Sequence, residues 1–388
     1  MKIIDIAKEI IEIQSYPEYT KDEINPKSGE EKLAKYIEEF MRKYCPYLSV
    51  EKQSVYSGRY NLIFSDNNPT KLIFCCHMDT VPPKQSQLIN GKLTSKIIGD
   101  KLFGLGSVDM KGGIASLLST LSSIKKSTKG LVIIFYCDEE YNFFGMKKII
   151  TEKKFNAKLS IFCEPTNLKI ANGCRGLIEF FGYVKGKTAH ASRPEEGLNA
   201  ILLATNAFSL FQKKINNYFH SKLGVSTCNF SGIEGGLLQK SKNNDYDITW
   251  SGNNVPNIAK IQIEVRAATE NLNAQKVIQI YNNAIKKLNG NFELKKIVHD
   301  YGSFFVDQNK LLLVEQAITD SNYPVNYLDI SKVGYYDAEM FARTNNIPSI
   351  SLGPGPNNMS HKNNEYVSIN SMNKVAKIYK LIINKFLA

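Results

Sequence analysis

No stretch of this 388-residue chain is apolar for long enough to cross a bilayer as a helix. The opening MKIIDIAKEIIEIQSY has helical spacing of apolar residues interrupted by acids, which reads as an amphipathic helix and not as a signal or transit peptide. There is no Cys/His finger, no RNP-like aromatic signature and no long basic run. The net charge of +12 is spread among acids and asparagines, so it predicts neither a nucleic-acid nor a membrane partner. It does suit an anionic small substrate. Low-complexity tracts and internal repeats of fixed period are also missing, which excludes solenoids and extended disordered arrays. The cysteines number seven, an odd count that fits no closed disulfide scaffold. Cys75, Cys76, Cys137 and Cys163 fall in apolar runs, where thiols behave as small buried hydrophobes. The expected setting is therefore reducing and cytoplasmic.

What is present is an alternation of strands and helices. KLIFCC (71–76), the run 131–137, the run 159–163 and the run 348–352 read as strands, and 112–125 as a helix. The strand 131–137 is apolar on both faces, the pattern of a buried parallel strand. The expected architecture is an α/β domain with a mostly parallel sheet and flanking helices. In such sheets ligands bind beyond the carboxyl ends of the strands.

Those ends carry the chemistry. They present His77 and Asp79, then Asp138, Glu139 and Glu140, then Glu164, then His361, while Asp109 lies in the loop GLGSVDMKGG. A single acidic triplet reads most simply as a solvated turn. Two imidazoles and several carboxylates on one rim instead call for positive charge among them, and divalent cations supply it. Nitrogen plus carboxylate oxygen suits zinc, cobalt or manganese, and the surplus of carboxylates suits two ions better than one. Gly104 and Gly106 begin like a dinucleotide fingerprint, but Asp109 stands where its last glycine would be, and an acid there opposes a pyrophosphate.

Together these segments resemble the M20 family of metallo-aminoacylases and peptidases, which includes acetylornithine deacetylase and succinyl-diaminopimelate desuccinylase. The matching pieces are HMDTVP, GLGSVDMKGG, DEE at 138–140, CEPTN, GKTAHASRPEEGLNAI, NNVPN followed by IEVR, and GPGPNNMSH, in family order over nearly the whole chain. The resemblance implies a di-metal catalytic domain in which His77 and Glu164 hold one ion, Glu140 and His361 the other, and Asp109 bridges. It implies that Asp79 orients His77, that Glu139 is the general base, and that His190 reaches a partner subunit's active site. Asn253, Arg266 and Arg175 are the implied substrate contacts. His220 and His299 match nothing in the family pattern.

The middle of the chain mixes strands with two helices, at about 198–214 and 274–288, and reads as an inserted α+β domain, which the resemblance implies is the lid that also dimerises. The expected division is 1–175 with 299–388 for the metal-binding domain and 176–298 for the lid. The expected activity is hydrolysis of the N-acyl amide of an N-acylated amino acid by a homodimer, most like the acetylornithine deacetylase branch. Succinyl-diaminopimelate desuccinylase, an M20 dipeptidase or carboxypeptidase, and a silent binding module of the same fold are the alternatives. The segment VGYYDAEMF departs from the glycine- and threonine-rich stretch usual in the family.

Overall fold

A computed structural model describes residues 2–20, 23–24, 29–56, 58–124, 129–240 and 246–388. The chain forms two compact units, one of Met1–Asn172, Val306–Asp329 and Met340–Ala388, the other of Gly173–Phe305 and Ile330–Glu339.

In the first unit the sheet order is Ser349–Ser351, Leu159–Phe162, Leu72–His77, Leu131–Tyr136, Arg59–Ser65, Ser49–Tyr56. The first four strands are mutually parallel, and the last two add antiparallel at one edge. Every residue of Leu72–His77 and of Leu131–Tyr136 is buried, so both faces are covered, as the unbroken apolar runs require. The helix Ile369–Leu387 supplies part of that cover, its Tyr379 ring meeting Phe74 edge-on at 5.1 Å. The helix Gly112–Ser122 lies within the expected span 112–125, whose last residue falls outside the described residues. Register decides where the functional groups emerge. His77 pairs with Tyr136, Cys75 with Phe162, and Phe162 with Ser351, so the residues that follow each strand leave at one rim.

The second unit holds an antiparallel sheet ordered Tyr246–Thr249, Thr227–Lys240, Ile258–Ala267, Gly176–Lys185, Asn291–Tyr301. Helices Ala200–Ile215 and Ala274–Lys287 cover one face, packing Ala204, Phe211, Val277 and Tyr281 against Phe180, Ile261, Ile263 and Val265. Side chains alternate along Ile258–Ala267, so Lys260, Gln262, Glu264 and Arg266 point to the opposite face. The sequence division assigned all of 299–388 to the metal-binding domain, whereas 299–305 and 330–339 group with the second unit. Aromatic packing is the reason. Tyr335 stacks on Tyr301 with ring centroids 4.8 Å apart, and Tyr336 meets Phe304 at 6.1 Å. The two tyrosines of the unusual YYD in VGYYDAEMF thus pack against Tyr301 and Phe304 within the second unit.

Candidate metal centre

At the rim of the first unit, the two oxygens of Asp109 face different histidines. Its Oδ1 lies 3.1 Å from His77 Nε2, and its Oδ2 lies 3.7 Å from His361 Nε2. Glu164 Oε1 is 3.9 Å from the same nitrogen of His77, and Glu140 Oε2 is 3.0 Å from that of His361. Ligand-capable atoms of His77, Asp109 and Glu164 lie within 4.8 Å of one another, and so do those of Asp109, Glu140 and His361. His77, Glu139 and Glu140 form a third such group, which brings Glu139 to the same place.

Local conformation makes this convergence possible. Gly104 and Gly106 adopt φ of 152° and 68°, and a Cβ on Gly106 would come within 2.5 Å of Thr80 Cγ2. The glycines therefore fold the loop inward so that Asp109 enters the rim. Asp138, at the end of its strand, takes a left-handed φ of 67°. Its carbonyl accepts from Phe143 N at 2.7 Å and its side chain from Phe144 N at 3.2 Å, closing the turn that presents Glu139 and Glu140.

Asp79 meets the His77 ring first through its backbone. The nearest partner of His77 Nδ1 is the Asp79 backbone oxygen at 3.1 Å, with the carboxylate farther away at 3.6 Å. The carboxylate instead accepts from Glu139 N at 3.1 Å and from Glu140 N at 2.9 Å. It is pinned to the turn that bears the glutamates, which draws it away from the imidazole. Behind that turn lies a buried cluster that the sequence pattern did not single out. Arg59 donates to Glu30 through Nε and Nη2, both at 2.6 Å, and sits 3.1 Å from Asp138, while Glu30 also accepts from Asp138 N at 3.0 Å.

Burial alone would lower the His77 pKa, but Glu164, Asp109 and Asp79 outweigh it and hold it well above the usual range. Burial raises the Glu140 pKa, and the Asp109 charge raises it further. The hydrogen bond to Glu140 is the main reason that His361 is pushed up to about 9. Burial would raise the pKa of Asp109 and Asp79, but His77 outweighs it and lowers both, so the imidazoles compensate part of the crowded carboxylate charge and leave Glu140 raised, a condition suited to added cations. The donor set, imidazole nitrogen with carboxylate oxygen and one carboxylate open to two groups, fits divalent ions of the zinc type.

The remaining sequence-selected residues lie in the second unit. His190 is exposed, and its Nδ1 receives the backbone N–H of Ser192 at 3.2 Å. The same nitrogen lies 2.8 Å from Ser192 Oγ, so Nδ1 is engaged within its own loop. Its loop is paired with the one bearing Asn253, Ala191 N donating to Asn253 O at 2.8 Å. Arg266 uses Nε on Glu264 at 2.8 Å, and Arg175 donates to Thr227 Oγ1 at 3.1 Å. His299 stands 3.6 Å from Glu179, and His220 caps the backbone N–H groups of Lys222 and Leu223.

The His/carboxylate rim can hold divalent ions of the kind used in hydrolysis, and the chain's family match makes it a metal-dependent hydrolase acting on amide bonds. Residues 73–385 match the model of peptidase family M20/M25/M40, and the chain belongs to that family. Over 347 residues it is 27% identical to acetylornithine deacetylase of Buchnera aphidicola subsp. Schizaphis graminum, covering 85% of this chain and 84% of that one. Among solved structures it resembles a tripeptidase from Staphylococcus aureus, with a TM-score of 0.76, 21% identity, and coverage of 98% and 97%. A dinuclear metal-binding peptidase of the M20 family from Bacillus subtilis shares the fold with a TM-score of 0.68, 13% identity, and coverage of 99% and 97%. Among the described residues no helix is long and apolar enough to cross a membrane.

Proposed function

We propose that the protein removes the acyl group from an N-acylated amino acid, in the manner named by its acetylornithine deacetylase relatives. The split of Asp109 between His77 and His361, which makes one carboxylate common to two ligand groups, carries the two-metal hydrolase part of this reading, and the named relatives carry the acyl preference. His77, Asp109 and Glu164 would hold one divalent ion and Asp109, Glu140 and His361 a second, zinc being the best match, with cobalt or manganese also suited. When bound, such ions acidify water and polarise a carbonyl.

The chain's own groups do the rest. Glu139, held by its backbone N–H on Asp79, takes the proton of the attacking water and returns it to the departing amine. Asp79 sets the position of both glutamates as well as facing His77. His190 donates to the oxygen of the tetrahedral intermediate, and we assign it to the active site of a second copy in a homodimer. Asn253, Arg266 and Arg175 would receive the substrate carboxylate. Glu264 takes the Nε of Arg266, leaving the two Nη groups for bidentate binding. All seven cysteines are free thiols, which supports a reducing, cytoplasmic setting.

The test is a panel of N-acetyl, N-succinyl and dipeptide substrates, with metal content measured on the same sample. Preferred turnover of an N-acetyl amino acid at two ions per chain is the expected result. Preference for dipeptides would move the protein to the peptidase side of its family, and absence of all turnover with both ions bound would favour a silent binding module.

A further inference from the structure

Glu365 is buried, 2% exposed, and lies four residues beyond His361. Its carboxylate is wholly engaged with the Asp109 loop. Oε2 accepts from Gly106 N at 3.0 Å, and Oε1 accepts from Val108 N at 2.9 Å and Asp109 N at 3.1 Å. The left-handed Gly106 turns these amides toward one point, an arrangement that forms a binding nest for an anion. Here the chain fills that nest with its own side chain. The Glu365 backbone oxygen accepts from Gly104 N at 3.3 Å, which ties the other end of the glycine turn.

The segment that carries His361 and Glu365 is anchored in turn. Lys84 Nζ donates to His361 O at 2.6 Å, Ser86 Oγ to Asn363 O at 3.2 Å, and Gln87 Nε2 to Lys362 O at 3.4 Å. Two loops more than two hundred and fifty residues apart are therefore joined through one carboxylate. One loop bears Asp109, which faces both ligand groups, and the other bears His361.

We propose that Glu365 is a positioning residue that holds the Asp109 loop against the His361 segment, and so sets the aim of the carboxylate shared between the two metal sites. The proposal rests on the reading that Asp109 and His361 hold metal. A plug that only satisfied buried amides would matter for folding stability and not for metal affinity. A positioning residue matters for affinity first, and outer partners of metal ligands typically change it by about ten- to a hundredfold.

The experiment uses the full chain with Zn²⁺ or Co²⁺ titrated against a chromogenic chelator, alongside melting of the metal-free and metal-loaded protein. Glu365→Gln keeps an acceptor for Val108 and Asp109 but turns an N–H₂ toward Gly106 N. The expected result is a loss of about ten- to a hundredfold in affinity for the weaker ion, a smaller rise in Tm on adding metal, and kcat recovered at saturating metal with KM unchanged. Glu365→Ala opens the nest, and added formate is expected to restore metal affinity in that variant while leaving the wild type unchanged. Unchanged affinity in both variants overturns the proposal. So does a failure of both to fold, which would assign Glu365 to folding alone. His361→Ala in the same titration separates the two readings. If it keeps both ions at wild-type affinity, the assignment of the ligands has failed; if it loses one and the Glu365 variants lose none, only the role of Glu365 has failed.

Discussion

In the first unit, Asp79, Asp138, Glu30 and Glu365 all spend carboxylate oxygens on backbone N–H groups of the loops that carry the candidate ligands. In the second unit, His190 is exposed and held by Ser192 on its own loop, and Arg266 is paired with Glu264 two residues away. Asp79, Glu30 and Glu365 reach partners far away in sequence and Asp138 one only six residues on, whereas His190 and Arg266 are each braced by a residue two positions away. On the proposed reading, the difference follows from what each would do. Ligands that crowd negative charge must be held against their own repulsion, which takes buried, multiply bonded supports. Groups that meet a transient substrate need an open donor and little more than a local brace.

The comparison is sharpened most by attacking the two halves separately. Glu139→Gln preserves the shape of the side chain and removes its ability to take a proton. It should retain two ions per chain and lower kcat by on the order of a hundredfold to ten-thousandfold, checked by steady-state kinetics with metal analysis. Lost metal would instead make Glu139 a ligand, as its grouping with His77 and Glu140 allows.

Arg59→Met tests the supports behind the turn. The Arg59, Glu30 and Asp138 side chains are at most 1% exposed, so removing the guanidinium strands two buried carboxylates. Breaking one partner of a buried pair costs about 3–5 kcal/mol, to be read from urea unfolding of the metal-free protein. A loss below 1 kcal/mol would mean that water or rearrangement already satisfies the acids.

His190→Ala belongs to the open half. It should leave both metals bound and the dimer intact and lower kcat about a hundredfold, the effect of losing one oxyanion donor. Subunit exchange makes the test sharper. Glu139→Gln chains mixed with His190→Ala chains should form hybrids with one intact site, and activity should rise toward half of normal per hybrid dimer. Exchange proven by mass without recovered activity would confine His190 to its own subunit or to no catalytic role.

A pH dependence concerns Lys111, a buried lysine whose Nζ donates to Ile13 O at 2.7 Å. Burial lowers its pKa from 10.5 to about 7. Between those values the unfolded chain holds a proton that the folded chain has released, so the stability of the metal-free protein should rise with pH from about 7 to about 10.5 and gain nothing from this group below 7. The contribution is at most about 1.4 kcal/mol per pH unit. Lys111→Met should flatten it, and equal slopes in the two proteins would remove Lys111 as the cause.

Much of the candidate centre was legible because parallel strands in register must end together. Once 71–76, 131–137 and 159–163 read as strands of one parallel sheet, the residues just beyond them had to share a rim, as the observed register has them do. Asp109 was legible through the glycines that its loop requires. Glu30, Arg59 and Glu365 were not, because a charged residue beside a loop reads as solvated unless its distant partner is known. The aromatic packing of 330–339 escaped for the same reason, since Tyr335 acquires a role only against Tyr301.

The sequence by itself determined the α/β class, the alternation that sends acids and imidazoles to strand ends, the family, and the donor types. These depend on periodicity and residue chemistry, which are local. Tertiary structure alone decided which oxygen of Asp109 faces which histidine, that the Asp79 carboxylate is spent on the glutamate turn, and that Glu365 closes the loop opposite. Those are contacts between segments far apart in the chain, and their geometry exists only after the sheet has brought the segments to one rim.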